Sequence, residues 1–229
     1  MAPEREQGRL KVAAVVPAFN EEDRVASVLD SLRRVELIDE IVVVDDGSTD
    51  RTAEVVSRFE GVKLLRLPEN RGKGRALDAG VKACAGEVLF FCDADLDGLE
   101  PAMVTAVLEP VVRGEYSMFV GARAFRENPV SRAFVALEAK WGVYPTTGQR
   151  ALRRELWDLL PERYKEGYRT EVGLNFVARR SRGGLGFKRF RYGHVKKERK
   201  LGLRRGLAVK FRMYGQVLAS SFRLRFIDR

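Results

Sequence analysis

The sequence predicts an α/β fold in which a central, mostly parallel sheet is flanked by helices. Four short runs rich in β-branched residues recur in the first 91 residues: Val12 to Val16, Ile41 to Val44, Val62 to Leu67 and Val88 to Phe91. A polar turn and a stretch with helical spacing of apolar residues follow the strand runs. Strands that alternate with helices build parallel sheets. Because the runs are apolar throughout, we expect strands covered by helices on both faces.

The second half of the chain continues with helices and strands in a looser order. The predicted elements are helices over Pro101 to Val112, Val130 to Trp141 and Glu171 to Arg180, and strands over Tyr116 to Val120 and Leu185 to Tyr192. No internal repeat or Ser/Pro-rich linker separates them. We therefore expect one domain over residues 1–200, followed by a separate tail over 201–229.

The charge of the chain is unevenly distributed. The 229 residues carry a net charge of +10, but residues 179–229 hold 17 basic and two acidic side chains, whereas the first 178 hold 25 basic and 30 acidic ones. A basic surface over the whole molecule is thus disfavoured, and we expect no nucleic-acid partner. No apolar run reaches the ~18 residues of a membrane span, and the N-terminus lacks the apolar core of a signal peptide. These features predict a cytoplasmic location.

Two carboxylates follow the fourth strand run directly. Asp93 and Asp95 stand at positions i and i+2, and alternate side chains of an extended chain point the same way. Two acids on one side repel each other unless a cation joins them, and hard ions such as Mg²⁺ or Mn²⁺ prefer carboxylate and phosphate oxygens. Ligands of parallel sheets bind beyond the carboxyl ends of the strands. The pair therefore predicts a divalent-metal site.

Polar residues also follow the other strand runs. Asn20 and Glu21 are expected to open a helix whose N-terminal amides meet a polar ligand. Asp45 and Asp46 offer acceptor oxygens for a base N–H or for ribose hydroxyls. The segment Glu69 to Arg75 combines glycines and cations at the start of a helix, a composition that suits phosphate. All three segments are predicted at one edge of the sheet.

Four segments together carry a family resemblance: PAFNE (17–21), VVVDDGSTD (42–50), NRGKGRALDAG (70–80) and DAD (93–95). In this order and spacing they resemble the family-2 glycosyltransferases, which have the GT-A fold, a Rossmann-like, mostly parallel sheet that binds a nucleotide sugar. The resemblance implies that residues 1–125 form the nucleotide-sugar half and residues 126–200 the acceptor-side half. It implies donor contacts by Pro17, Ala18, Asn20, Glu21, Asp45, Asp46, Lys73, Asp93, Ala94 and Asp95, the last three at the metal and diphosphate.

The second half adds residues by the same resemblance. Gln149, in GQRAL (148–152), is implied on the sugar and acceptor side. Thr170-Glu171 stands where many members carry a Glu-Asp pair whose second acid is the general base, so Glu171 is the candidate base. His194 resembles a late histidine that many members use as a metal ligand beside Asp93 and Asp95. Arg123 and Lys197 are expected, with Lys73, to neutralise the leaving diphosphate.

The implied activity is that of a metal-dependent inverting hexosyltransferase with Mg²⁺ or Mn²⁺ as cofactor and a UDP- or GDP-linked sugar as donor. A phosphate acceptor arrives as an anion, since its second pKa is near ~6, and needs cations more than a base. The missing Glu-Asp pair therefore favours an acceptor such as polyprenyl phosphate, and the motifs resemble the dolichyl- and polyprenyl-phosphate sugar synthases. A soluble or glycolipid hydroxyl acceptor stays open within the same fold.

Two other classes also stay open. A nucleotidyltransferase would use paired carboxylates and Mg²⁺ but would normally place a cationic triphosphate loop directly after its first strand, where this chain has no cation before Arg24. A non-catalytic nucleotide-binding module is disfavoured by the paired acids.

The tail predicts a basic amphipathic helix. One stripe at helical spacing holds apolar and aromatic residues: Leu203, Leu207, Phe211, Tyr214, Leu218 and Phe222. Arg205, Arg212 and Arg223 lie on the opposite side. Such a helix either packs its stripe on the core or lies on an anionic lipid surface. With the charge of the tail, the second interpretation predicts a peripheral protein on the cytoplasmic face of a membrane.

Overall fold

The computed structural model describes residues 8–124, 148–167, 169–191 and 193–194. The first part of the chain alternates strands and helices: β1 (Val12–Ala18), α1 (Val25–Leu32), β2 (Glu40–Asp45), α2 (Thr52–Ser57), β3 (Val62–Arg66), α3 (Lys73–Ala83) and β4 (Val88–Phe91). The four predicted strands and the alternation that follows from them are confirmed.

The remaining described elements are β5 (Leu96–Asp97), α4 (Pro101–Val112), β6 (Met118–Arg123), β7 (Arg150–Arg153), α5 (Arg154–Asp158), a 3-10 turn (Glu162–Tyr164), α6 (Arg169–Arg180), β8 (Leu185–Phe190) and β9 (Gly193–His194). Helix α4 has the predicted bounds. Strand β6 begins two residues later than predicted, and α6 begins two residues earlier. The predicted helix over 130–141 and the tail lie outside the described residues.

Seven strands form the central sheet in the order β3-β2-β1-β4-β7-β6-β8. The pairs β1–β2, β1–β4, β2–β3 and β6–β8 are parallel, and β7 runs antiparallel between β4 and β6. The other six strands therefore run in one direction, and their carboxyl ends meet at one edge. A small second sheet pairs β5 with β9, antiparallel.

Strand β7 was not predicted. Its four residues, Arg150–Arg153, include two arginines, and so short a segment with charged residues carries no apolar run that indicates a strand. Its pairing with Val88–Phe91 on one side and Met118–Val120 on the other is what makes it a strand.

The core lies on both faces of the sheet. Along β1 the side chains alternate: Val12, Ala14 and Val16 pack in a cluster with α1 and α4, whereas Ala13 and Val15 pack in a second cluster with α3, α5 and α6. This alternation explains why the strand runs are apolar at every position. Among the described residues, no helix is both long enough and apolar enough to cross a membrane.

Candidate active site

The candidate site lies where the parallel strands β1, β2 and β4 end. The register pairs Ala18 with Asp45 and Val15 with Phe91, so the segments that follow these strands leave the sheet side by side. Asp93, Ala94 and Asp95 follow β4, and Ala94 is buried. The sequence prediction that these segments share one edge agrees with this register.

A lysine joins two of the predicted acids. Lys73, the first residue of α3, places its Nζ 2.6 Å from Asp93 Oδ1 and 2.9 Å from Glu171 Oε1. Glu171 lies in the first turn of α6, 98 residues further along the chain. Gln149 Nε2 donates to the other oxygen of Asp93 at 3.1 Å. The structure thus brings together Lys73, Asp93, Gln149 and Glu171, which the sequence had indicated from four separate segments.

The cluster fixes the charges of its members. Burial by itself would raise the pKa of Asp93, but the charge of Lys73 and the hydrogen bonds from Lys73 and Gln149 outweigh it, so the pKa lies below its usual range. Burial would lower the pKa of Lys73, but the charges of Asp93 and Glu171 raise it above its usual value. At neutral pH the site therefore holds an ammonium group against an ionised Asp93.

Asp95, the second acid of the Asp93–Asp95 pair, precedes a strand that pairs with the backbone of His194. In the β5–β9 sheet, Leu96 is the register partner of His194, which places the histidine backbone across from the residue that follows Asp95. The described residues contain no group of three or more His, Cys, Asp or Glu side chains arranged to hold a metal ion. The metal set Asp93, Asp95 and His194 stays a prediction.

The carboxylate of Asp46 shapes the loop that precedes α3. Both of its oxygens accept backbone N–H groups, from Arg71 and from Gly72, at 2.8 Å each. Burial raises the pKa of Asp46, and these two hydrogen bonds offset part of that effect. Gly47, at φ +73°, lies so close to the backbone of Glu69 that a Cβ would come within 2.8 Å of it. Asp46 and Gly47 together hold residues 69–72 against the end of β2.

Asp45 keeps more of its hydrogen-bonding capacity for a ligand than Asp46 does. Its Oδ1 accepts the N–H of Ser48 at 2.9 Å. Its Oδ2 is buried without a hydrogen-bond partner and lies 3.4 Å from Nε of the largely exposed Arg66. Buried acceptors are rarely left unpaired, so this oxygen suits a ligand that brings its own N–H or O–H.

The segment after β1 corrects one expectation. Asn20 and Glu21 do not open a helix, because α1 begins at Val25. Their amides are also engaged: the N–H of Asn20 donates to Ser48 Oγ at 3.0 Å, and the N–H of Glu21 donates to Thr52 Oγ1 at 2.8 Å.

Asn20 itself has φ 55°, in the left-handed region where asparagine is tolerated, and its Oδ1 accepts the N–H of Thr49 at 2.9 Å. This residue therefore ties the loops after β1 and β2 together.

Arg150 in β7 and Gly148 just before it have structural roles at the site that the sequence did not indicate. Arg150 is 1% exposed, and its Nη1 donates to the backbone carbonyl of Glu171 and to Asn175 Oδ1, both at 3.3 Å. Gly148 lies against Asp93, since a Cβ at this position would overlap the Asp93 carboxylate. Neither role has a local sequence signal, because both depend on where β7 enters the sheet.

Of the remaining predicted site residues, Pro17 and Arg123 lie in strands of the central sheet. Pro17 lies in β1, next to the buried Ala18. Arg123 is the last residue of β6, with Phe190 as its register partner. Lys197 lies outside the described residues.

Comparisons with known proteins identify the family of this chain. The family model described as glycosyl transferase family 2 matches residues 13–165. Glucosyl-3-phosphoglycerate synthase of Mycobacterium tuberculosis H37Rv is 32% identical over 197 residues, covering 71% of this chain and 59% of that protein. The dolichyl-phosphate beta-glucosyltransferase of Drosophila melanogaster is 36% identical over 141 residues, covering 52% of this chain and 42% of that protein. The chain thus spans about three fifths of the length of the first of these relatives.

A solved structure extends the likeness to the fold. The crystal structure of the Mycobacterium tuberculosis glucosyl-3-phosphoglycerate synthase with Mn²⁺, UDP and glucosyl-3-phosphoglycerate has a TM-score of 0.76 and 27% identity, covering 95% of this chain and 80% of that one. The predicted GT-A fold and the predicted family resemblance are both confirmed. Since the family model matches well over half of the residues, this chain belongs to glycosyl transferase family 2.

Proposed function

We propose that this chain transfers a hexose from a uridine-diphosphate sugar to an acceptor that carries a phosphate group. The observation that carries the proposal is the cluster at the ends of the parallel strands, where Lys73 lies between Asp93 and Glu171. Asp95 follows in the same segment. The choice of uridine rests on the solved relatives, which hold UDP.

The nucleoside would bind where β1 and β2 end. The buried Oδ2 of Asp45 is suited to accept an N–H of the base, and its other oxygen is already held by Ser48. The loop 69–72, fixed by Asp46, forms the neighbouring wall. Asn20 holds the loops after β1 and β2 together, so these walls are in place before the donor arrives.

A divalent ion fits the acids after β4. The solved relatives contain Mn²⁺ or Mg²⁺, and both ions take carboxylate oxygens, with imidazole as an additional ligand for Mn²⁺. Asp95 offers a carboxylate, Asp93 is kept ionised by Lys73, and the β5–β9 register brings the His194 backbone to the same segment. When bound there, the ion acts as a Lewis acid that neutralises charge on the departing diphosphate.

The environment of Glu171 favours a phosphate as the attacking group. A hydroxyl acceptor needs a base within hydrogen-bond reach of its proton. The hydrogen bond from Lys73 holds Glu171 Oε1 in the cluster with Asp93, and only 9% of the Glu171 side chain is exposed for an acceptor hydroxyl to reach. A phosphate needs no base, because it is already an anion at pH 7. We therefore infer polyprenyl phosphate as the acceptor, used by a chain that lies on the cytoplasmic face of a membrane.

A second candidate acceptor is phosphoglycerate. It is favoured by the extent of the match to the glucosyl-3-phosphoglycerate synthase structure, which covers 95% of this chain, whereas the match to the Drosophila dolichyl-phosphate enzyme covers 52%. Both acceptors carry a phosphate, but they differ in whether they partition into a membrane.

The test uses the full chain with radiolabelled UDP-glucose and Mn²⁺, and offers polyprenyl phosphate in detergent, phosphoglycerate, or no acceptor. We expect label in the organic phase with polyprenyl phosphate, lost on addition of a chelator. Label in the aqueous product with phosphoglycerate would show that phosphoglycerate is the acceptor and that polyprenyl phosphate is not. If no UDP-sugar gives a product with either acceptor, the proposed activity is wrong.

The variant Glu171→Gln separates attack by a phosphate, which needs no base, from attack by a hydroxyl, which does. With a phosphate acceptor we expect a rate within about tenfold of the unmodified protein, whereas loss of a general base costs on the order of 10²- to 10⁴-fold. Glu155→Gln, at an exposed position of α5, is the matched control. A large loss in Glu171→Gln together with a confirmed lipid product would contradict the argument from ionisation.

A further inference from the structure

The end of α6, the turn after it and strand β8 form a strongly basic part of the chain. Between residues 179 and 191 the chain has no acidic residue and six basic ones: Arg179, Arg180, Arg182, Lys188, Arg189 and Arg191. Five of these side chains are exposed, and Arg189 is half-buried. We call these six residues the basic strip. No role in the proposed chemistry has been given to any of them.

The strip follows the edge of the sheet. Strand β8 is last in the strand order, so its outer edge has no neighbouring strand among the described residues. Its six residues extend about 20 Å at ~3.3 Å per residue. Lysines and arginines on an edge strand also prevent unwanted strand pairing. That explanation covers Lys188 and Arg189, but not the basic residues at the end of α6 and in the turn.

Aromatic rings accompany the cations. Phe187 is 45% exposed, with the Arg189 guanidinium carbon 5.8 Å from its ring centroid. The Arg180 guanidinium carbon lies 3.6 Å from the ring centroid of Phe176, and Lys188 Nζ lies 5.6 Å from that of Phe190. Long cationic side chains beside an exposed ring suit the boundary between lipid headgroups and acyl chains, where the ring enters the apolar layer and the cations stay in water.

The strip ends beside the candidate site. Strand β8 runs parallel to β6, so it points toward the edge of the sheet where Asp93 and Asp95 lie. The chain then reaches β9, which pairs with β5 immediately after Asp95. A surface in contact with the end of β8 would therefore also lie close to the opening of the site.

We propose that the basic strip is a docking surface for an anionic lipid bilayer, separate from the predicted C-terminal helix. Charge complementarity selects this occupant, because the strip holds six basic and no acidic residues, whereas the first 178 residues carry more acidic than basic side chains. Docking along β8 would hold the site at the level of the headgroups, where a lipid phosphate acceptor ends. Only this last consequence depends on the proposed function.

The test is sedimentation of the full chain with vesicles of phosphatidylcholine, with or without phosphatidylserine. The variant Lys188→Gln/Arg191→Gln removes two exposed charges near the end of β8. Each basic side chain near an anionic surface strengthens binding on the order of fivefold, so we expect the partition coefficient to fall about 25-fold. The control Arg33→Gln/Arg34→Gln removes two adjacent exposed charges after α1 and should change it by less than about twofold.

Three outcomes would overturn the proposal: equal partitioning of the two double variants, binding that ignores phosphatidylserine, or tighter binding to single-stranded RNA than to the anionic vesicles. Transfer to a detergent-solubilised acceptor separates this result from the proposed function, since Lys188→Gln/Arg191→Gln should leave that rate unchanged. If the strip variant loses vesicle binding while the unmodified chain glucosylates only phosphoglycerate, the result supports the docking surface and excludes polyprenyl phosphate as the acceptor.

Discussion

The ion pairs of Lys73 make a quantitative prediction about stability. In Lys73→Met the side chain keeps the length of the lysine stem but loses the ammonium group that lies 2.6 Å from Asp93 and 2.9 Å from Glu171. Removing one partner of a fully buried ion pair costs on the order of 3–5 kcal/mol, because a charge stays buried without compensation. Lys73 and Asp93 each keep more than a quarter of their side-chain exposure. We therefore expect a smaller loss, about 2–3 kcal/mol at pH 7.

The pH dependence identifies the cause of that loss. Since the pKa of Asp93 is lowered in the folded state, its stabilisation is complete above the unfolded value near ~4 and is lost as the pH falls through the lower folded value. The raised pKa of Lys73 means that its contribution holds up to ~10 and is lost only as the pH rises through the folded value. The deficit of Lys73→Met should therefore be constant from about pH 6 to 9 and shrink in acid.

Urea unfolding at several pH values measures this deficit, with the m-value as a check that the denatured state is unchanged. The double variant Lys73→Met/Asp93→Asn removes both charges and should be more stable than the sum of the single effects by at least about 1 kcal/mol. A deficit that does not change between pH 7 and acid, or single effects that simply add, would show that Lys73 acts by packing and not by charge.

Three further predictions concern individual positions. Gly148→Ala should move the Asp93 carboxylate by about 1 Å, lower the transfer rate on the order of 10²-fold and weaken the ion pair with Lys73; an unchanged rate would contradict the close contact. Asp46→Asn replaces one of two acceptor oxygens, so calorimetry should show UDP affinity reduced about tenfold and amide exchange should accelerate in loop 69–72. Asp95→Ala should abolish the extra thermal stabilisation that Mn²⁺ gives in the presence of UDP, and a preserved Mn²⁺ effect would remove Asp95 from the metal site.

Much of the fold was predictable because its signals are local. The runs at Val12–Val16 and Val88–Phe91 are apolar at every position, and that property belongs to strands covered on both faces. Pro101 at the start of α4 and the apolar spacing up to Val112 define that helix with its correct bounds. The carboxylates after β2 and β4 were predicted to share an edge, because parallel strands place their carboxyl ends together.

The contacts within the site were decided by the tertiary structure. The sequence indicated Lys73, Asp93, Gln149 and Glu171 as separate candidates, but nothing in it specified that Lys73 joins Asp93 to a glutamate 98 residues away. That contact exists because α3 and α6 pack on the same face of the sheet. Ion pairing depends on distance in space, and a charge pattern along the chain carries no information about that distance.

Strand β7 is the clearest example of a feature that its own residues do not predict. By its own composition, Arg150–Arg153 predicts no element, yet its insertion between β4 and β6 buries Arg150 and brings Gly148 against Asp93. The sequence by itself determined the parallel sheet, the edge at which the candidate site residues lie and the family, since these follow from local periodicity and motif spacing. Only the tertiary structure decided which side chains meet at that edge, because a strand with two neighbours is defined by pairing across the sheet and not by its own residues.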